Sequence, residues 1–321
     1  MAKGISRREF LILAGQAGAL LAGAGVVRSL GQSSKATAVV PRQRLGNPEL
    51  LAVAHGDILG KSEREAEALL RACLEPLGGI KTFVAPGSKV VIKPNVAFMR
   101  TPEQASSTNP LLVTAMATLC LQAGPREVVI FDHTIDTPAD VCLSMTGMVE
   151  AARKGKAQLV SGHEQSAYQQ VSIPRGRVLT SAEVHRVVLG ADVLINMPIA
   201  KVHGATGATL GMKNLMGVVW NRGVWHSSSS LDQCIADFST AYPATLTVID
   251  GQRVLLTNGP KGPGRTEDKH AVVAGVDPVA VDAYSAGLLG FAPERVAHIA
   301  DAARMGVGQM DLRKVRVVKV S

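Results

Sequence analysis

Five short runs rich in β-branched residues each end abruptly in polar side chains, and segments of helical length separate them. Lys89 to Ile92 reads KVVI before Lys93-Pro94-Asn95, and Val128 to Phe131 reads VVIF before Asp132-His133. Val193 to Asn196 opens toward Lys201 and His203, Thr247 to Ile249 leads into Asp250-Gly251, and Ala271 to Ala274 leads into Gly275-Val276-Asp277-Pro278. Strand, helix, strand repeated in this way implies right-handed crossovers, hence an α/β fold whose twisted, mostly parallel sheet carries helices on both faces. Parallel strands aim their carboxyl ends one way. Five polar strand ends should therefore share one edge, where a site is assembled from distant parts of the chain.

The segment Leu194 to Gly217, LINMPIAKVHGATGATLGMKNLMG, gives that edge its chemistry. An apolar run buried on both faces passes into Lys201, His203, Lys213 and Asn214, with glycines that let backbone approach a ligand closely. Lysine is rarely buried unless paired, so Lys93, Lys201 and Lys213 together should attract a small anionic ligand or cofactor, with Asn95 and Asn214 as directional hydrogen-bonding groups. The plainer alternative is that each lysine reaches solvent or pairs with Asp132, Asp250 or Asp277.

His203 and His226 sit in polar or glycine-rich settings beside this segment, and His133 follows Asp132 at a strand end. Each suits proton transfer or metal binding, and His203 and Asp250 are the expected proton-transfer groups, with His226 among the ligand-binding ones. Asp132, Asp250, Asp277 and Asp282 are candidate bases or hard-metal ligands, although Asp277-Pro278 also reads as a helix cap with proline at the first helical position. The identity of any metal or cofactor stays open. Gly207 to Asn214 superficially resembles a phosphate loop, but its glycines are too close and no Gly-Lys-Ser/Thr follows, which excludes that route to nucleotide hydrolysis. No G-x-S-x-G elbow or paired cysteine and histidine marks covalent catalysis. Cys73, Cys120, Cys142 and Cys234 are far apart with no C-x-x-C, and are expected to be buried free thiols, although an oxidising destination keeps any of three disulfide pairings open.

The amino terminus reads Ser6-Arg7-Arg8-Glu9-Phe10-Leu11, then an apolar Gly/Ala-rich stretch to Val27 and Arg28, the pattern of a twin-arginine export signal. Ala36-Thr37-Ala38 supplies a small-residue cleavage site, so residues 1–38 are expected to be a signal peptide and residues 39–321 a single α/β domain. The apolar stretch is short for a membrane span, and no stable span is expected after cleavage. The expected partner is the twin-arginine export machinery, and the expected destination is periplasmic or extracellular.

The formal net charge is +8. The leader contributes Lys3, Arg7, Arg8, Arg28 and Lys35 against Glu9, so half of that charge leaves with it. Aromatic residues make up only 3% of the chain, which together with the modest remaining charge argues against nucleic-acid binding.

Local signals add detail. Ser62-x-x-Glu65 is a capping box opening a helix to about Leu77, and Asn109-Pro110 opens another that stops at Gly124-Pro125. Pro138 to Arg153 reads as one crossover helix, Ser172 to Arg186 as a hairpin or surface excursion, and Trp220 to Ser230 as an exposed loop. Asn258 to Gly264, NGPKGPG, reads as a long turn or lid beside Asp250.

Taken together, VVIKPN, STNP, the Leu194–Gly217 segment, the downstream His226, IADF, LTVIDG, NGP and AGVDPVAVDA resemble the prokaryotic family called domain of unknown function 362. The resemblance runs from about Lys89 to Val318. It implies a redox or cofactor association, because members often carry twin-arginine leaders or fused ferredoxins, but this chain lacks a ferredoxin cysteine cluster. Lys93, Asn95, Lys201, His203, Lys213, Asn214, His226, Asp250 and Asp277 fall on the family's motif positions, and the family implies no agreed reaction. The chain is thus expected to be an exported protein whose strand-end cleft takes an anionic substrate or cofactor, with redox or proton-transfer chemistry. The alternative is a periplasmic protein that binds or delivers a metal or small anion without catalysis.

Overall fold

The computed structural model describes residues 45–228 and 230–321, so the expected signal peptide and its cleavage site lie outside the described residues. The strands are β1 Leu50–His55, β2 Lys89–Pro94, β3 Glu127–Asp132, β4 Gln158–Ser161, β5 Tyr168–Ser172, β6 Ser181–His185, β7 Val193–Met197, β8 Ile199–His203, β9 Gly207–Thr209, β10 Leu246–Leu255, β11 Thr266–Gly275 and β12 Arg316–Val320. Ten of them form one sheet in the order β12-β1-β11-β10-β7-β2-β3-β4, with β8 attached to β10 and β9 to β8. From β10 through β7, β2 and β3 to β4 every pairing is parallel.

Alternate residues of the central strands enter two separate cores. Val91, Val129, Leu194, Ile249 and Val273 face one side, packed against the helices Leu231–Ala241, Pro278–Ala286 and Ala297–Arg304. Val90, Ile92, Val128, Ile130, Val193 and Ile195 face the other, under the helices Glu63–Leu74 and Pro110–Gln122. The sheet is therefore covered on both faces, which is why its strands read as continuous apolar runs. Burying each such side chain contributes about 1.5–3 kcal/mol.

The capping signals act as their sequences suggest. Ser62 and Glu65 exchange backbone hydrogen bonds at the start of Glu63–Leu74, and Asn109 Oδ1 accepts from Leu111 N at 2.9 Å. Asp277 caps Pro278–Ala286 by accepting from Val279 N and Ala280 N. The four cysteines are buried free thiols. β5 and β6 pair as an antiparallel hairpin, so the segment expected to be a hairpin or surface excursion over residues 172–186 is a hairpin that starts earlier, at Tyr168.

Three expectations need correction. β11 runs antiparallel to β10 because the two are joined directly as a hairpin, so its carboxyl end and Asp277 point away from the edge shared by β2, β3, β7 and β10. The segment 138–153 is two helices, Ala139–Met145 and Met148–Lys154, because Gly147 breaks it with φ at +76° while seated against Pro110. The stretch 220–230 is not wholly an exposed loop: Gly223–Ser227 is helical, and Trp225 is buried against Phe238.

Among the described residues no helix is long and apolar enough to cross a membrane.

Candidate functional site

At the shared strand edge a cleft of about 80 Å³ opens, lined by the ends of β2, β3 and β8, the Gly211–Asn214 helix, the turn after it and the β10–β11 loop. It brings together Lys93, Asn95, Lys201, His203, Lys213, Asn214 and His226, which are separated by up to 133 positions in the chain. That volume holds several waters or one small ligand.

The floor is a chain of amides. Lys201 Nζ donates to Asn95 Oδ1 at 2.8 Å, Asn95 Nδ2 to Asn214 Oδ1 at 2.8 Å, Asn214 Nδ2 to Asn196 Oδ1 at 2.8 Å, and Asn196 Nδ2 to the Gly211 carbonyl at 2.8 Å. A backbone carbonyl can only accept, so the Gly211 end of the chain fixes the orientation of all three amides in turn. Asp282 completes the support by accepting from Gly211 N at 2.6 Å and Met212 N at 2.9 Å, which holds the start of the helix that carries Lys213 and Asn214.

The lysines differ in how they are compensated. Lys93 is 1% exposed and pairs with Asp132 at 2.7 Å, also donating to the Pro94 carbonyl at 2.6 Å. Burial lowers its pKa, and the Asp132 carboxylate opposes that shift. Asp132 in turn accepts from Val96 N and His133 N. Gly217 lies against this pair, with an added Cβ meeting Asp132 Oδ1 and Lys93 Cε at 2.7 Å, so only glycine fits there without displacement.

Lys201 is equally buried but, among the described residues, has no carboxylate in contact. Its Nζ donates to Asn95 Oδ1 and to the Ser106 carbonyl at 2.5 Å, and lies 5.4 Å from the centroid of the Phe98 ring. Burial, reinforced by the nearby Lys213 charge, lowers its pKa to about 7. Lys213 is more isolated. Its hydrogen-bond partner is the Met216 thioether at 3.6 Å, and burial lowers its pKa to about 8 against the pull of Asp232.

His203 accepts from Ala205 N at its Nδ1, which leaves Nε2 carrying the proton of the neutral ring. Burial and then Lys213 lower its pKa to about 3, so the ring is uncharged near neutral pH. The His226 ring stacks over it at 6.2 Å with an interplanar angle of 22°. Among the described residues no group of three or more His, Cys, Asp or Glu side chains is placed to hold a metal.

Asp250 is placed outside this lining. It lies midway along β10, since that strand continues to Leu255, and both its oxygens are engaged, by Asn109 N at 2.7 Å and Gln252 N at 3.0 Å. Burial raises its pKa to about 6. The carboxylate fastens the start of the Pro110–Gln122 helix and the irregular turn of β10, and Asp277 is likewise occupied with capping.

Sequence reasoning did not single out several lining residues: Phe98, Arg222, Met216, Gly217 and Pro260. Arg222 adds a fourth cation, donating from Nη2 to the Thr134 carbonyl at 3.0 Å. It sits in the polar stretch WNRG, which gave no local signal. Pro260 arrives on the NGPKGPG loop, tied down by Ser106 Oγ, which donates to its carbonyl.

With this geometry established, the chain can be set beside known proteins. The sequence model of a family described as Domain of unknown function (DUF362) matches residues 90–287. The chain belongs to this family. The matched span of this DUF362 chain includes every residue lining the cleft. The thylakoid-associated protein sll1697 of Synechocystis sp. is 29% identical over 253 residues, covering 75% of this chain and 75% of that protein. A solved structure from Thermotoga maritima superposes with a TM-score of 0.37 at 12% identity, over 78% of this chain and 60% of that one.

Proposed function

We propose that the cleft binds a small anionic ligand through Lys201, Lys213 and Arg222, and that it moves protons at that ligand. The observation that carries this reading is charge balance: Lys93, Lys201, Lys213 and Arg222 line the cleft, and Asp132, already paired with Lys93, is the one carboxylate among the lining residues. Buried cations without counter-charges are costly, and an anion supplied from outside offsets that cost. The volume favours a small carboxylate or a single phosphate or sulfate over a dinucleotide. Proton transfer falls to Lys201 and Lys213, whose lowered pKa values lie near working pH, with neutral His203 as a hydrogen-bond donor and Asp250 as a fixed support outside the cleft.

The test is a thermal-shift series with sulfate, phosphate and short carboxylic acids. Stabilisation by one of these in the natural protein, and its loss in K201M and K213M, supports the reading; equal responses in all three proteins remove it.

We also propose export through the twin-arginine pathway, on the strength of Ser6-Arg7-Arg8-Glu9-Phe10-Leu11 and Ala36-Thr37-Ala38. Replacing Arg7 and Arg8 by lysine should retain the full-length chain in the cytoplasm, while the natural leader yields an exported protein beginning at Val39. Export of both forms alike would count against this.

A further inference from the structure

We propose that Lys201 is a nucleophilic amine that forms an imine with a small 2-oxo acid, whose carboxylate is held by Lys213 and Arg222. This rests on the anion-binding reading above and names its ligand class.

Three features of the site point there. Lys201 is 1% exposed, lines the cleft and, among the described residues, touches no carboxylate, so no counter-charge in contact holds it in the ammonium form. Its two hydrogen bonds go to pure acceptors, Asn95 Oδ1 and the Ser106 carbonyl. A neutral amine has two hydrogens and one lone pair, so these acceptors use both hydrogens and leave the lone pair free for a carbonyl carbon. The amide chain from Gly211 fixes Asn95 so that its oxygen, not its nitrogen, faces the lysine.

The second feature is Lys213, 7% exposed, whose ammonium meets only a sulfur among the described residues. A second cation beside a buried lysine lowers the pKa of that lysine and also anchors an anionic substrate, the arrangement by which enzymes activate lysine amines. The third is size, since a cleft of about 80 Å³ has room for a two- or three-carbon acid.

The step balances without an added oxidant or reductant. The Lys201 lone pair attacks the carbonyl carbon, a C–N bond forms, and the carbonyl oxygen departs as water with the two hydrogens that the nitrogen loses. The carbon of the resulting imine is electron-poor, which favours loss of a proton or carboxylate from its neighbour.

The experiment is reductive trapping. The full chain is incubated at pH 8 with pyruvate or glyoxylate and sodium borohydride, then measured by intact mass and peptide mapping, beside thermal shifts with the same acids and with sulfate. The expected result is a mass increase equal to the acid less one oxygen, mapped to Lys201. The neutral fraction at a pKa of about 7 exceeds that of an ordinary lysine on the order of a hundredfold at this pH, so label should concentrate at Lys201 and not spread over surface lysines. K201M should lose the adduct. Because the mapping is done on the natural chain, it stands whether or not K201M folds. Stabilisation by pyruvate or sulfate with no adduct at Lys201, or label spread evenly over surface lysines, overturns the imine while leaving anion binding intact. Absence of any stabilisation by oxo acids, sulfate or phosphate overturns both.

Discussion

Lys213 Nζ meets the Met216 sulfur at 3.6 Å, and among the described residues no oxygen accepts from it. A thioether is a weak acceptor, so an ammonium that gives up its water for this contact loses more than it gains. The site thus keeps a charge that weakens the unliganded protein. Such an arrangement is expected where a ligand supplies the missing partner.

K213M should consequently stabilise the unliganded chain. The folded-state pKa of about 8 lies below the ordinary lysine value, so between the two the unfolded chain binds more protons. The cost is fully present below about pH 8 and fades as pH rises toward 10. The variant should gain about 3 kcal/mol at pH 7 and less than about 1 kcal/mol at pH 10, read from urea unfolding at both values. A gain that does not depend on pH would point to packing instead of charge.

Lys93 and Asp132 should behave in the opposite way. D132N leaves Lys93 buried without a counter-charge and should cost about 3–5 kcal/mol. The double variant K93M/D132N removes the stranded charge and should recover much of that loss. A double variant as unstable as the sum of its single changes would show that the pair is not coupled.

Gly217→Ala tests the same pair sterically. The new methyl would meet Asp132 Oδ1 and Lys93 within 2.8 Å, and neither can retreat without losing its hydrogen bonds. A loss of about 1–3 kcal/mol in unfolding experiments is expected. Gly223→Ala, which meets nothing closer than 4.0 Å, is the control.

Much of this arrangement was legible in the chain, for physical reasons that differ between its parts. The strands announce themselves because burial on both faces demands uninterrupted apolar runs, and the lysines are conspicuous because they end those runs. Direction was not legible: β11 has the same apolar signature as β10, and only the hairpin between them reverses it. Asp250 was misplaced for a related reason. Its polar side chain looked like a strand end, while the strand continues to Leu255 because the carboxylate is satisfied by two backbone amides. Arg222 gave no signal because its role comes from where the turn after Val219 brings it, next to Thr134 on a different strand end. The asparagine chain was only half visible. Asn95 and Asn214 followed conspicuous lysines, but Asn196 reads as part of the apolar run it interrupts.

Anion affinity should fall as pH rises. Sulfate stays doubly charged across the neutral range, so any change in its binding comes from the protein. Lys201 and Lys213 have lowered pKa values of about 7 and about 8, and each binds an anion best as the ammonium. Binding should be tightest below pH 7 and weaken as first Lys201 and then Lys213 lose their protons. Each loss should cost roughly tenfold, the worth of one charge-assisted hydrogen bond. His203, uncharged above about pH 4, should add nothing to the slope. Because the bound anion favours the ammonium form, sulfate binding at pH 8 should take up protons, seen in titration calorimetry as heats that change with the ionisation enthalpy of the buffer. Affinity that holds level from pH 6 to pH 9, with no proton uptake, would show that these two amines do not form the binding site.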